Sequence, residues 1–279
     1  MSPSRISVVT PSLNQAAFVE ETIVSVLGQN YENLEYVVVD GGSTDGSADI
    51  IEKYRSRLNH YVSEPDLGHG NALNKGFRRT TGDIMAWLNS DDMYTPWAFK
   101  TVAEVFESYP DVNWITGLQG LWNPQGALVN VTPVYKNAVD FLAGNYEWIE
   151  QECVFWRRSL WEKAGGHIDE TYRYMVDGEL WCRFFSLDRL WHVNCPLAGY
   201  RSHATNRAKL FRNECIAEMN RAVEGMRTRI DLTMLGPAER NYLLLHYDID
   251  SCLWTRLILQ RHPATLSPTP AGSDAPRRS

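Results

Sequence analysis

Residues 6–40 read ISVVTPSLNQAAFVEETIVSVLGQNYENLEYVVVD. Ile6–Thr10 is a short β-branched run that stops at Pro11, so it reads as a strand. The turn PSLNQ follows. Phe18/Val19, Thr22/Ile23 and Val26/Leu27 then recur at helical spacing and end near Gly28, the pattern of an amphipathic helix with a glycine stop. Leu34–Val39 is a second apolar strand that ends at Asp40. Strand, helix and strand in one stretch form a βαβ unit, which places the two strands in parallel.

The same alternation continues outward. GGSTDGS is a Gly/Ser/Asp turn, and the helix after it carries Ile50/Ile51, Tyr54 and Leu58 on one side. His60–Ser63 is a third strand, and GHGNALNKGF begins the next helix. Ile84–Leu88 is a fourth buried strand, and it breaks off at Asn89, Ser90, Asp91 and Asp92. Thr95-Pro96 has the form of an N-cap followed by proline at the first helical position, and Trp97, Val102, Val105, Phe106 and Tyr109 follow. Residues 5–109 therefore read βαβαβαβα, an α/β fold with a doubly wound, mainly parallel sheet and helices on both faces. In such a sheet the strand ends at Thr10-Pro11, Asp40, Glu64–Asp66 and Asp91-Asp92 share one edge, the edge where open α/β folds bind ligands.

The second half is less regular. Val112–Thr116 and Leu128–Thr132 read as strands around a turn at Asn123–Gly126, and Ala138–Ala143 as a short helix. Gln151–Trp156 reads as extended, Ser159–Ala164 as a helix closed by Gly165-Gly166, and Asp177–Leu187 as a helix. Leu190–Asn194 and Pro196–Arg201 read as two short strands. Residues 206–228 and 237–260 read as two C-terminal helices, the second carrying Tyr242, Leu243, Leu245, Ile249, Leu253 and Leu257. The Pro/Ser/Ala-rich tail 261–279 reads as disordered.

Composition narrows the classes. A net charge of −7 removes the basic field that would put nucleic acid first. Five scattered cysteines without CxxC spacing argue against a disulfide framework or a zinc site. No window approaches the length of a membrane span, and the N-terminus lacks a signal-like apolar run. A cytoplasmic location follows as the expectation, with at most peripheral contact at the inner face of the membrane. There is no GxGxxG after the first strand, no GxxxxGK[ST] and no GxSxG. What collects at the sheet edge is acidic: Asp40, Asp45, Glu64, Asp66, Asp91 and Asp92. Acids suit ribose hydroxyls, base N–H groups and metal ions, and they repel bare phosphate. A nucleotide diphosphate bridged by Mg2+ or Mn2+ fits that lining.

SVVTPSLNQAAFVEETIVSVLGQNYENLEYVVVDGGSTDGS, SEPDLGHGNALNKGFRRTTGDIMAWLNSDD, QECVFWRRSLWEKAGG and YMVDGELWCRF occur in this order. Together they resemble glycosyltransferase family 2, the inverting GT-A nucleotide-sugar transferases, over about residues 5–205. The resemblance implies a GT-A fold. Residues 1–110 would form the nucleotide-sugar-binding half and 111–205 the acceptor-binding half, with the C-terminal helices at 206–260. It implies that Thr10, Pro11, Asp40 and Asp66 border the nucleoside, with Asp40 facing the base. Asn74 and Lys75 fall beside the nucleotide. Asp91 and Asp92 match the DxD region on the ribose and metal side, and His203 falls where some members supply a further metal ligand. Asp177 matches the catalytic base. Gln151, Glu152, Trp156 and Arg157 are candidates for the acceptor side, and Trp148 and Trp181 for sugar platforms.

Plainer readings stand beside these. Asp40 would be only a turn former, Asp177 a helix cap, His203 a loop histidine, Lys75 a solvated charge and Trp156 core. Arg183 would pair with an acid on its own helix or a neighbouring one. Asn89 stands where many relatives have the first Asp of DxD, and Val176 where many have Glu. The implied reaction is metal-dependent inverting transfer, of the hexosyl or N-acetylhexosaminyl type, with Mn2+ or Mg2+ as cofactor. The donor would be a nucleotide-diphosphate sugar, UDP-linked foremost, and the acceptor a hydroxyl of a glycan or lipid-linked molecule, in cell-surface polysaccharide or glycolipid synthesis. A nucleotidyltransferase and a degenerate nucleotide-sugar-binding protein are the alternatives, and a homodimer is an option for the C-terminal segments.

Overall fold

The computed structural model describes residues 3–145, 148–230, 235–236 and 238–260. The expected disordered tail 261–279 lies outside the described residues. The first half follows the alternation read above: β1 (Ile6–Ser12), α1 (Val19–Leu27), β2 (Leu34–Asp40), α2 (Ser47–Glu52), β3 (His60–Ser63), α3 (His69–Phe77), β4 (Ile84–Trp87), a two-residue β5 (Met93–Tyr94) and α4 (Ala98–Ser108). Then come β6 (Trp114–Trp122), β7 (Leu128–Thr132), α5 (Ala138–Leu142), β8 (Val154–Arg157), α6 (Arg158–Lys163), α7 (Val176–Phe185), β9 (Trp191–Arg201), α8 (Arg207–Leu210) and α9 (Arg212–Arg227). β10 (Tyr242–Asp248) and β11 (Leu253–Leu259) close the described chain.

One sheet runs through all of it in the order β11-β10-β9-β6-β8-β4-β1-β2-β3. The pairs β1–β2, β1–β4, β2–β3, β6–β9 and β9–β10 are parallel. β8 enters antiparallel between β4 and β6 and joins the two parallel blocks. Each central strand is buried on both faces, which is why the strands read as unbroken apolar runs. Val9, Val37, Val39, Met85 and Trp87 pack with residues of α3, α6, α7 and α9 on one face. Ile6, Val8, Tyr36, Val38 and Ala86 pack with α1 and α4 on the other. Gly76 of α3 lets that helix approach β1, because a Cβ there would stand 2.3 Å from Val9 Cγ1.

Three expectations change. The helix expected over 237–260 is a β-hairpin: Tyr242–Asp248 pairs antiparallel with Leu253–Leu259, and Leu243–Leu245 pairs with β9. The apolar spacing there fits a helix face, but Asp248 accepts the Asp250 N–H at 3.0 Å and Cys252 takes φ +54°. That is turn chemistry, and the free side of β9 offers the strand a partner. The two strands expected at 190–201 are one strand, with register shifts where Pro196, lacking an N–H, faces Leu118. Residues 151–153 form a 3-10 turn rather than extended chain. Among the described residues no helix is long and apolar enough to cross a membrane.

Candidate active site

The edge formed by the ends of β1, β2, β3 and β4 carries the first group of expected residues. Asp40 is fully buried. Its carboxylate accepts the N–H groups of Gly42 and Ser43 at 3.1 and 2.9 Å and the hydroxyls of Ser43 and Ser63 at 2.5 and 2.7 Å. These bonds use the carboxylate to fold the GGS turn, with three donors on Oδ2 and the Ser43 hydroxyl on Oδ1. Thr10 is buried as well, its hydroxyl accepting from Tyr36 at 3.0 Å, and Pro11 is buried beside it. They form the floor of the edge and not its surface. Asp66 is half-buried at the rim, where a Cβ on Gly41 would stand 2.7 Å from its Oδ2. Gly41 thus leaves room for the Asp66 carboxylate above the turn. Lys75 pairs with Glu64 at 2.7 Å and lies within 3.4 Å of the Pro65 carbonyl, at the same rim. Asn74 points elsewhere: it donates to the Ile168 carbonyl and Glu170, and it accepts the Ile168 N–H at 2.8 Å. It ties α3 to the loop before α7.

The end of β4 carries the second group. Asp91 Oδ2 and His203 Nε2 stand 3.0 Å apart, although 112 residues separate them in the chain. His203 is held on three sides. Phe18 stacks on it at 4.6 Å, Thr205 Oγ1 meets its Nδ1 at 2.9 Å, and Asn206 meets its Nε2 at 2.8 Å. The Asn206 amide is oriented by its own bonds, since Oδ1 accepts the His203 N–H at 2.6 Å and Nδ2 donates to the Arg201 carbonyl. Its Nδ2 therefore donates to His203 Nε2, which puts the ring proton on Nδ1, toward Thr205. The Asn206 amide and the Asp91 carboxylate thus meet at the same ring nitrogen, whose single lone pair an ion would take over from the amide. A separation of 3.0 Å is also that of neighbouring ligands on a six-coordinate ion with bonds of about 2.1 Å. A carboxylate suits Mn2+ and Mg2+ alike, and the imidazole beside it favours the transition metal of the two, Mn2+.

Asp92 faces inward. It is 1% exposed, and its Oδ1 accepts the Arg201 N–H at 2.8 Å. Through that bond it braces β9 beneath the pair. Burial, and then the Asp91 charge, push its carboxyl well up. Asn89 Nδ2 lies 3.5 Å from Asp92, and its Oδ1 lies 3.1 Å from His69 Nε2. An amide can serve both neighbours, whereas an aspartate at 89 would repel Asp92.

The third group enters from β8 and α7. Gln151 donates its side-chain amide to the Trp87 carbonyl at the end of β4. The side chains of Glu150 and Glu152 hydrogen-bond to each other, and Gln151 Oε1 beside them is a buried acceptor without a hydrogen-bond partner. Burial raises Glu150 to about 7, and it raises Glu152 further with the Glu150 charge beside it. Cys153 lies close to both, but its thiol faces the carbonyls of Leu118 and Ala198 and burial pushes its pKa up, so it is a thiol and no thiolate ligand. Asp177 is half-buried at the start of α7, and burial raises it to about 6. The carboxyls of Asp92, Glu150 and Glu152 each sit within electrostatic reach of one another, and Glu152 within reach of Asp177.

Two acceptor-side expectations are corrected. Trp156 is fully buried among Trp87, Phe77, Trp181 and Phe184. Arg157 donates to the carbonyls of Val112, Phe106 and Tyr109, and it pairs in register with Ile84 at the opposite end of β4. Both are structural. Trp181 stacks between Trp87 and Trp114 and is core, not a platform, whereas Trp148 is partly exposed and lines a small cleft with Asp177. Arg183 pairs with Glu179 on its own helix at 2.7 Å. Sequence reading missed Asn206, His69 and Glu150. Only the spacing of His203 and Asn206 hinted at the first, since one turn of chain brings residues i and i+3 together.

Comparison with known proteins completes the description. The model of the family described as "Glycosyl transferase family 2" matches residues 7–175. An uncharacterized glycosyltransferase of Rickettsia typhi is 28% identical over 204 residues, which is 71% of this chain and 64% of that protein. The chain spans between 33% and 64% of the length of several curated relatives that it matches. Staphylococcus aureus TarS in complex with UDP-GlcNAc superposes with a TM-score of 0.66 at 18% identity, covering 82% of this chain and 68% of that one. The mannosyltransferase PcManGT of Pyrobaculum calidifontis, in complex with GDP-Man and Mn2+, gives a TM-score of 0.61 at 19% identity over 82% of this chain and 65% of that one. At these identities the likeness shows the fold, the GT-A arrangement.

Proposed function

The chain belongs to glycosyltransferase family 2, and from that membership we propose that it transfers a sugar from a nucleotide-diphosphate sugar to a hydroxyl of a glycan or lipid-linked acceptor. The transfer depends on a divalent ion and inverts the anomeric carbon. The observation that carries this reading is the meeting of Asp91 Oδ2 and His203 Nε2, 3.0 Å apart at the ligand-binding edge of the sheet. TarS was solved with UDP-GlcNAc and PcManGT with GDP-Man and Mn2+, which supports a nucleotide-sugar donor and a divalent ion here. A UDP-sugar is the first donor to try.

In this reading Asp91 and His203 hold Mn2+ or Mg2+, and the bound ion supplies Lewis-acid neutralisation of the charge on the departing diphosphate. Asp66 and Lys75, at the rim above the Gly41 turn, border the nucleoside and the diphosphate. Thr10, Pro11 and Asp40 shape that turn from below. Asp177 takes the proton of the acceptor hydroxyl. Raised to about 6, it is ionised at neutral pH, and its affinity for a proton is higher than that of an ordinary aspartate. The acceptor enters beside α7, at the cleft that Trp148 lines with Asp177. A single displacement from the face opposite the diphosphate inverts the configuration.

The direct test offers UDP-, GDP- and dTDP-sugars with Mn2+ and follows free nucleoside diphosphate. Wild type should release it from one of them faster when acceptor glycans are added, and Asp177→Asn should not. Pyrophosphate as the released product would point instead to nucleotidyl transfer.

A further inference from the structure

The segment that leads into α7 is held by α9, which lies outside the matched family region 7–175. The N–H of Arg173 donates to Glu218 Oε1 at 2.8 Å, and those of Tyr174 and Met175 donate to Glu218 Oε2 at 2.8 and 2.9 Å. One carboxylate thus takes three consecutive backbone donors, the last of them two residues before Asp177. These groups stand ahead of the first turn of a helix and have no intrahelical partner, and bonds to an ionised acceptor are about twice as strong as neutral ones. Two further contacts fix the same segment. Arg221 donates to the Thr171 carbonyl at 2.9 Å with its guanidinium 3.7 Å over the Tyr172 ring. Arg207 donates to the Arg173 carbonyl at 2.9 Å. On the other side of Asp177, Gly178 meets α9 so closely that a Cβ would stand 2.3 Å from Met219 Sδ. Asp177 is therefore placed between two consecutive α9 residues, Glu218 acting before it and Met219 after it.

We propose that Glu218 is a positioning residue for Asp177: by fixing the backbone of residues 173–175 it sets where the base carboxylate stands. The proposal rests on the reading of Asp177 as the base. It makes α9 part of the active centre, although none of its residues faces the donor edge.

The test uses the full chain and the variants Glu218→Ala, Glu218→Gln, Asp177→Asn and the double variant Glu218→Ala/Asp177→Asn. Turnover is followed with whichever of the UDP-, GDP- and dTDP-sugars wild type uses fastest. A displacement of about 1 Å costs on the order of 100-fold, so Glu218→Ala should lose about 10- to 100-fold in kcat. Its affinity for the nucleoside diphosphate should match wild type. Glu218→Gln, whose amide oxygen can still accept from Tyr174 and Met175, should recover part of the loss. The double variant should be no slower than Asp177→Asn, since residues that act as a unit are not additive. Independently of any substrate, hydrogen exchange at the amides of residues 173–175 should quicken in Glu218→Ala while β1 and β2 stay protected. Unchanged kcat in Glu218→Ala with Asp177→Asn inactive would overturn this inference alone. So would a kcat loss that falls in step with donor affinity and melting temperature, or unchanged exchange at 173–175. Wild-type turnover by Asp177→Asn would overturn the base assignment, and this inference with it.

Discussion

At the scale of single residues, the candidate site depends on contacts between side chains far apart in the chain. Asp177, half-buried and raised to about 6, must be ionised to accept a proton. The rate at saturating substrate should therefore fall about tenfold per pH unit below that value and level off above it, as a pH profile will show. Replacing it by asparagine should lower kcat by about 10²- to 10⁴-fold, the usual worth of general-base help, with donor affinity unchanged. Asn206 is bonded to His203 at both its backbone N–H and its Nε2. The bond from the His203 N–H to Asn206 Oδ1 fixes the loop that carries the ligand, so Asn206→Ala should weaken Mn2+ binding by about 10- to 100-fold, as loss of outer-shell support does, which calorimetric titration of the ion will measure. Little of this detail was legible in sequence. Asp91 and Asp92 are identical neighbours on paper, yet one meets His203 and the other bonds the Arg201 N–H. Which of the two turns outward depends on the bend of chain after β4 and on the position of β9, and no local pattern encodes either. The partners of Asp40 were illegible for a similar reason: they include Ser63, which arrives from a different strand.

At the scale of elements, legibility followed burial. β1, β2 and β4 are covered on both faces by helices, so each is a short apolar-rich run, and its length and the turn residues that bound it mark it as a strand. The helix α3 lies where GHGNALNKGF places it, and its glycine carries the packing. Gly76→Ala would drive a methyl into Val9, and it should cost about 1–3 kcal/mol of stability by denaturant titration, the usual cost of overpacking a close-packed core. The C-terminal hairpin was not readable as such. Tyr242, Leu243, Leu245, Ile249, Leu253 and Leu257 lie near helical spacing, and only the Asp248–Cys252 turn and the open side of β9 decide for strands. Leu245 is fully buried on the inner strand of that hairpin, so Leu245→Ala should destabilise by about 2–5 kcal/mol. A change under 0.5 kcal/mol would contradict its place in the sheet, since surface substitutions fall within about that range.

For the molecule as a whole, the cluster of buried acids ties stability to pH and to the ion. Glu150 titrates near 4.5 when unfolded and near 7 in the fold, so between these values the folded state binds more protons and stability falls as pH rises. His69 and His192, lowered to about 4 by burial, act the opposite way up to their ordinary value of 6.5. The contribution of Glu150 is therefore isolated by comparing Glu150→Gln with wild type. The variant should gain melting temperature relative to wild type as pH rises from about 4.5 to about 7, and the gap should then stay constant. The parallel block and its shared edge were present in the βαβα alternation, whereas the order of its strands was not. The joining of both halves and the hairpin into one sheet was not, because β8 reverses direction between β4 and β6 and its four residues carry no signal of that reversal. The most direct test of the proposed centre is a thermal-shift titration of wild type, Asp91→Ala and His203→Ala with UDP and GDP, each with and without Mn2+. Wild type should be stabilised by one nucleotide strongly with Mn2+ and weakly without it, since ligands that bind only the native state raise its apparent stability. Both variants should lose the Mn2+-dependent part. Equal shifts with and without Mn2+, or a full Mn2+-dependent shift in Asp91→Ala, would contradict the assignment of Asp91 and His203 as the seat of the ion.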